Sequence, residues 1–163
     1  MLERREAEVR SLNGVYGNTA AGNRILSNSI FANGLLGIDL GDDGPTANDP
    51  RDADTGPNHL QNKPVLSSAR NADGKTTVKG ALHTRPIAGL SYTIQFFSNP
   101  SGQNEGQKLI GQKVLKTDGE GNASFGFVPS SKVATGRTIT ATATSNSNGD
   151  TSEFSAARTV ITS

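Results

Sequence analysis

The stretch GNTAAGNRILSNSIFANGLLGIDL, residues 17–40, sets an asparagine at every fifth position: Asn18, Asn23, Asn28 and Asn33, with Asn13 one step upstream. Two residues after each stands a smaller or aliphatic side chain: Val15, Ala20, Ile25, Ile30 and Leu35. A period of five matches neither the 3.6 of an amphipathic helix nor the 2 of a half-buried strand. It fits a chain that turns a corner every few residues, with aliphatics such as Ile25, Ile30, Leu35 and Ile38 pointing inward. The asparagines then belong at the corners, where an amide tolerates left-handed backbone and bonds its own main chain or the next coil. This is the rule of a parallel β-helix, and a pentapeptide-type solenoid shares it.

Composition supports a chain with little helix. Of its 163 residues 19 are glycine, hydrophobic residues make up only 33%, and Ser, Thr and Asn are plentiful. The length suits one medium domain or two small ones. The formal charge of +1 comes without a basic stripe, which argues against a nucleic-acid partner. There is no cysteine, hence no disulfide framework and no thiolate chemistry. No apolar run is long enough to span a bilayer. The mixed-charge start MLERREAEVRS lacks the apolar core of a secretory signal, and the expectation is a piece of a longer protein.

Three zones follow one another. Residues 11–40 carry the repeat, residues 41–63 form a turn-rich acidic loop, and from Pro64 the pattern becomes short alternating segments cut by Gly, Pro, Asn and Asp. Strands are expected at 65–69, 76–82, 90–98, 109–117, 123–128, 137–144 and 153–161. In LSYTIQFF, residues 90–97, the side chains of Leu90, Tyr92, Ile94 and Phe96 share a face. In RTITATAT, residues 137–144, Ile139, Ala141 and Ala143 do so, with four threonines opposite. Seven short strands in about 100 residues is the size of an immunoglobulin-like sandwich, here without the Cys pair and Trp of antibody domains. The expected organisation is therefore all-β: terminal coils of a right-handed parallel β-helix and an acidic capping loop over residues 11–63, then an antiparallel immunoglobulin-like sandwich over residues 64–163.

The run NRILSNSIFANGLLGIDL, residues 23–40, resembles the repeat of secreted bacterial right-handed β-helix proteins with the pectate-lyase-like fold. GDDGPTANDPRDADTGPNHLQNKPVL, residues 41–66, resembles the segment that closes that helix in a subgroup of large surface proteins. GEGNASFGFVP and TITATATSNSNGDTSEFSA, residues 119–129 and 138–156, are similar to the immunoglobulin-like module that follows there. The resemblance implies an extracellular or cell-surface location and a structural or adhesive, non-enzymatic module, with a polysaccharide or protein ligand as partner. The alternative it implies is the remnant of a polysaccharide lyase or hydrolase. With only one or two coils present, Val15, Ile25, Ile30 and Leu35 are expected to lack a covering layer, exposing apolar surface.

The sharpest chemical candidate is the acidic loop. Asp39, Asp42, Asp43, Asp49, Asp52 and Asp54 lie within sixteen residues, opposed only by Arg51. Ca²⁺ takes six to eight oxygens from such loops, so calcium held by Asp42, Asp43, Asp49, Asp52 and Asp54 is the metal site this stretch suggests. The plain alternative is a solvated cap, which Pro45, Pro50 and Pro57 favour by imposing an extended path. Asp39, Asp42 and Arg51 are the only residues that a lyase or hydrolase role could draw on. No residue is assigned a catalytic role. His59 and His83 have no obvious serine partner and read as surface residues. Phe97, facing away from Phe96, and Phe31 are the only loose candidates for an aromatic sugar platform. A Lys–Asn crosslink would need Lys79, Glu153 and a facing asparagine to meet.

Overall fold

The computed structural model describes Val9–Arg10 and residues 20–162. The repeat positions Asn13, Val15 and Asn18, and most of the charged start, lie outside the described residues. No helix among the described residues is long and apolar enough to cross a membrane.

Two four-stranded sheets make up the C-terminal part. β3 (Val65–Ala72), β4 (Lys75–His83) and β7 (Asn122–Phe127) form one, in the order β10-β3-β4-β7, with β10 being Ile161–Thr162. β5 (Ser91–Asn99), β6 (Lys108–Lys116), β8 (Thr138–Ser145) and β9 (Arg158–Thr159) form the other, in the order β6-β5-β8-β9. All neighbours are antiparallel except β3 and β10, which run parallel. The sheets face each other across an apolar core, as alternation along each strand requires. Tyr92, Ile94 and Phe96 of β5 meet Ile139, Ala141 and Ala143 of β8 and Val78 and Leu82 of β4 there. Phe96 stacks on Phe127 at 4.1 Å and takes the edge of Phe125 at 5.5 Å, geometries that add to simple burial.

The first six expected strands form within three residues of their expected ends, since Gly, Pro and Asn mark the turns. The seventh does not. Residues 153–157 are not strand, and only Arg158–Thr159 and Ile161–Thr162 pair. Serine side chains explain the interruption. Ser152 Oγ and Ser155 Oγ each accept a hydrogen bond, from the Ala143 and Ala141 N–H groups respectively, both at 3.0 Å. A hydroxyl thus stands where a strand carbonyl would, and the chain between is released from the ladder. Thr151, Glu153 and Phe154 reach outward instead.

What they reach is the N-terminal segment. β5 and β8 are buried along almost their whole length, on both faces. The 100–106 loop and Thr151 take the hydroxyls of Thr138, Thr140 and Thr144, and Ser27 bonds Gln95. Residues 20–62 fasten onto that layer at Ile25 and Ile30. Ile30 and Gly106 exchange main-chain hydrogen bonds at 2.9 and 2.8 Å. Gly106 must be glycine: a Cβ there would stand 2.5 Å from the Phe154 ring. Phe154 in turn meets Phe97 edge-on at 5.4 Å. Phe97 is therefore 3% exposed and is no sugar platform, since Phe154 and Gly106 cover the face it points to.

The period of five is visible in the backbone, one residue away from where the sequence suggests. Gly22, Ser27 and Ala32 have φ of 82°, 59° and 60°, each immediately before Asn23, Asn28 and Asn33. Small residues take the left-handed corner, where a larger side chain costs more, and the following asparagine spends its amide on a neighbour. Asn23 Nδ2 donates to Asn58 Oδ1, Asn28 Nδ2 to the Leu26 carbonyl and Asn33 Nδ2 to Glu105 Oε1. Ile25 and Ile30 point inward as expected and pack with Ile38, Leu40, Leu60 and Phe154. The expectation that they lack a covering layer is overturned, because Leu60 and Phe154 supply it. Leu35 remains 61% exposed. β1 (Val9–Arg10) pairs in parallel with β2 (Ile38–Asp39) over two residues, and no stack of coils is present among the described residues.

Candidate functional site

The acidic loop folds into two 3-10 turns, at Pro50–Asp52 and Pro57–Leu60, each opened by the proline that pre-sets its first φ. Within these two turns five residues have left-handed backbone: Arg51, Asp52, Asn58, His59 and Leu60. Such conformations persist only where surrounding contacts determine them. Here buried amides do so. Asn62 Nδ2 donates to the Asp49 and His83 carbonyls at 2.9 and 3.0 Å, and its Oδ1 accepts from Asp49 N–H. Asn58 is fully buried; its Oδ1 accepts from Asn23 and its Nδ2 donates to the carbonyls of Asn23 and Thr151.

Asp52 is the centre of this loop and is 4% exposed. Its Oδ1 accepts from Asn62 N–H at 2.7 Å, and its Oδ2 from Gln61 Nε2 at 3.0 Å and Thr84 Oγ1 at 2.8 Å. Thr84 also meets the Tyr92 hydroxyl at 2.8 Å, so the loop is tied to the start of β5. Burial pushes the Asp52 carboxyl above the ordinary 3.8, and the hydrogen bonds from Asn62 and Thr84 hold it back only in part. Asp54 is pushed up as well, by burial first and then by the charges of Asp49 and Asp52. Burial also raises the Tyr92 phenol.

Asp49, Asp52 and Asp54 each bring an oxygen within 4.8 Å of the others. Asp49 Oδ2 accepts from Ala53 N–H at 2.9 Å, but Asp49 Oδ1 and Asp54 Oδ1 are closed off from solvent and have no donor. Two oxygens on opposite sides of a Ca²⁺ ion, each at about 2.3–2.6 Å, would be about 5 Å apart, so the spacing fits one ion. Asp42 and Asp43 are exposed and stand outside this group. Asp39 turns its carboxylate back on the main chain, accepting from Gly41 and Gly44 N–H at 3.4 and 3.2 Å. A cavity of about 350 Å³ beside the loop, lined by Leu40, Pro45, Thr46, Pro57 and Leu60, holds a single titratable group, Asp43.

Other candidates find structural partners. His59 Nδ1 lies 2.8 Å from Asp150 Oδ2, and Asp150 Oδ1 accepts from Gly22 N–H. His83 Nδ1 meets Asn122 Oδ1 at 2.7 Å. Neither histidine hydrogen-bonds a serine hydroxyl among the described residues. Glu153 meets Lys63, not Lys79: its Oε2 accepts from Lys63 Nζ at 2.9 Å and from Thr46 N–H at 3.0 Å, while Lys79 is exposed on β4. Glu153, Asp150, Glu105 and Asn58 anchor residues 20–62 to the sandwich, and sequence reasoning assigned none of them that task. Glu105 and Glu153 are single acids in polar surroundings, with no repeat or cluster to mark them.

No protein-family model matches the chain, and comparison with curated proteins likewise finds no match.

Proposed function

We propose that this chain is a non-enzymatic structural module of an extracellular or cell-surface protein, in which the last turns of a parallel β-solenoid run into an immunoglobulin-like sandwich and are sealed against it. The observation that carries the reading is the double burial of β5 and β8, whose outer faces are closed by the 100–106 loop and Thr151 with residues 20–62 bonded onto that layer. A sheet face closed in this way serves a rigid joint better than it serves a ligand. The left-handed corners at Gly22, Ser27 and Ala32 and the parallel β1–β2 pair support the solenoid part. Three strands plus the late β10 against four, with crossings from β4 to β5, β6 to β7 and β7 to β8, support the immunoglobulin-like arrangement. Native-state hydrogen exchange tests the joint: amides of Ile25, Ile30 and Leu40 should be protected together with the ends of β5 and β8. Exchange of residues 20–62 at unfolded-chain rates would overturn it. Release of reducing ends from uronate or neutral polysaccharides, abolished by Asp39→Asn, would overturn the non-enzymatic reading in favour of a lyase or hydrolase.

A second reading rests on Asp49 Oδ1 and Asp54 Oδ1, two buried carboxylate oxygens without donors. Calcium bound between them would offset the burial that raises Asp54 and the repulsion from Asp49 and Asp52 that adds to it, while Asp52 keeps the loop in shape through its own three donors. The ion would act as a structural clip. Melting the protein in millimolar Ca²⁺ and in EDTA tests this. A site filled at a hundredfold excess over Kd adds about 2.7 kcal/mol. Equal melting temperatures, or a shift that survives Asp49→Asn with Asp54→Asn, would leave the loop as a plain cap.

A further inference from the structure

The charge of the molecule is unevenly placed. Residues 64–163 carry ten Lys and Arg against six Asp and Glu, while residues 20–63 carry three against six. Of the six acids in the sandwich, Glu105, Asp150 and Glu153 are buried and engaged with the N-terminal segment. Asp118 and Glu120 sit in the turn between β6 and β7, at the end of the sandwich where β5 begins. The opposite end, where β5 finishes and β6 starts, has a cavity of about 370 Å³ walled by the loop from β7 to β8. Three cations, Lys108, Lys132 and Arg137, line it, and no carboxylate does. The nearest acid in sequence to that end is Glu105, three residues before Lys108, but it is buried, accepts from Asn33 and stands outside the lining, as does Asp73, exposed in the β3–β4 turn.

Arg137 is held in place. Its Nε donates to Ser98 Oγ at 2.8 Å, and its Nη2 points to the Ser98 carbonyl and Gln107 Oε1, both at 3.5 Å. These are neutral acceptors, so they orient the guanidinium without cancelling its charge. Nη1 makes no hydrogen bond among the described residues, and neither ammonium, on Lys108 or Lys132, takes part in an ion pair or hydrogen bond there. A fixed fork with two flexible cations beside it is the arrangement that recognises a planar or tetrahedral oxyanion. Ser130 and Ser131 add two hydroxyls at the rim, and Ile110 and Val133 give an apolar wall for the body that carries the anion. The volume lies within the range of about 300–1,000 Å³ usual for small-molecule sites.

We propose that this cavity binds a carboxylate or sulfate group, with Arg137 as the fixed anchor and Lys108 and Lys132 closing on the anion from either side. The site is separate from the acidic loop, which is tied to the other end of β5 through Thr84 and Tyr92. Binding here leaves the sealed face of β5 and β8 undisturbed, so the site does not depend on the joint.

The test is a titration of the ¹⁵N-labelled full chain with sodium acetate and, separately, sodium sulfate, each matched in ionic strength by sodium chloride. Saturating shifts at the amides of residues 130–133 and 137 are expected with one or both oxyanions and not with chloride. A response to acetate alone assigns a carboxylate ligand, and a response to sulfate alone a sulfate ester. Lys108→Ala with Lys132→Ala should weaken the response at least tenfold, and Lys132→Glu alone should abolish it. Lys113→Ala, which removes an exposed cation of β6 outside the cavity, should leave it unchanged. Shifts equal in chloride, or unaltered by both lysine variants, would overturn the proposal.

Discussion

The sandwich and the segment laid over it are held by different forces. Fifteen buried apolar residues form one cluster between the two sheets, whereas residues 20–62 contribute only four to theirs, Ile25, Ile30, Ile38 and Leu40. The segment is held instead by buried polar groups that each satisfy several partners: Asn58, Asp52, Asn62, Asp150 and Glu153. Apolar burial scales with area and is indifferent to direction, so a core of that kind tolerates small shifts. A buried amide or carboxylate is stabilising only with its partners in place, and costly otherwise. The joint is therefore the more specific half of the molecule and the more fragile one.

The largest expected effect tests the sandwich. Phe96→Ala removes a ring that is fully buried between Phe125 and Phe127 and should cost about 3–5 kcal/mol in urea unfolding, lowering the whole transition. Next comes Asn58→Ala. It strands the N–H and carbonyl of Asn23 and the Thr151 carbonyl, each unmet group costing about 1–3 kcal/mol. Hydrogen exchange should then show residues 20–62 opening while β3, β4 and β7 stay protected. Equal loss of protection in both regions would mean that they are one cooperative unit, and the contrast drawn above would fail.

A smaller effect concerns pH. The folded-state pKa of Asp52 and Asp54 lies above the ordinary 3.8, so the folded form holds these protons more tightly than the unfolded form. Their contribution to stability is thus unfavourable at neutral pH and is relieved as the pH falls through the raised values towards 3.8. Asp54→Asn should raise the melting temperature slightly at pH 7 in EDTA, with the gain closing below pH 3.8. If calcium binds, the same variant should be the less stable one in millimolar Ca²⁺. The smallest effect belongs to Leu35→Ser, which alters a side chain 61% exposed and should stay within about 0.5 kcal/mol of the parent. A larger loss would show that Leu35 is covered in solution.

Much of the sandwich was legible because each signal in it is local. Alternation in SYTIQFF and TITATAT sets the core face, and NADGK or TDGEGN sets the turn, without reference to distant residues. Period five was legible too, down to the inward Ile25 and Ile30, although the left-handed corner falls on Gly22, Ser27 and Ala32 and not on the asparagines. Of the five aspartates read as a calcium set, the sequence spacing could not separate Asp49, Asp52 and Asp54, which converge, from Asp42 and Asp43, which do not. Convergence depends on the two 3-10 turns, and those are held by Asn62, Gln61 and Thr84 from outside the run of acids.

The sequence by itself determined the all-β class, the strand positions from Val65 to Ser145 and the inward face of the repeat, because side-chain period and turn chemistry act over a few residues. Only the tertiary structure decided that the threonines of β8 and Phe97 of β5 are buried. A strand's second face is polar or apolar in sequence, but whether it is wet depends on what the rest of the chain lays over it. Here the 100–106 loop and residues 151–154 do so, and residues 20–62 close onto them through contacts spanning up to 128 positions, from Gly22 to Asp150. No local pattern records such a pairing, since one amide and one carboxylate far apart look like any other surface residues until the fold removes the water between them.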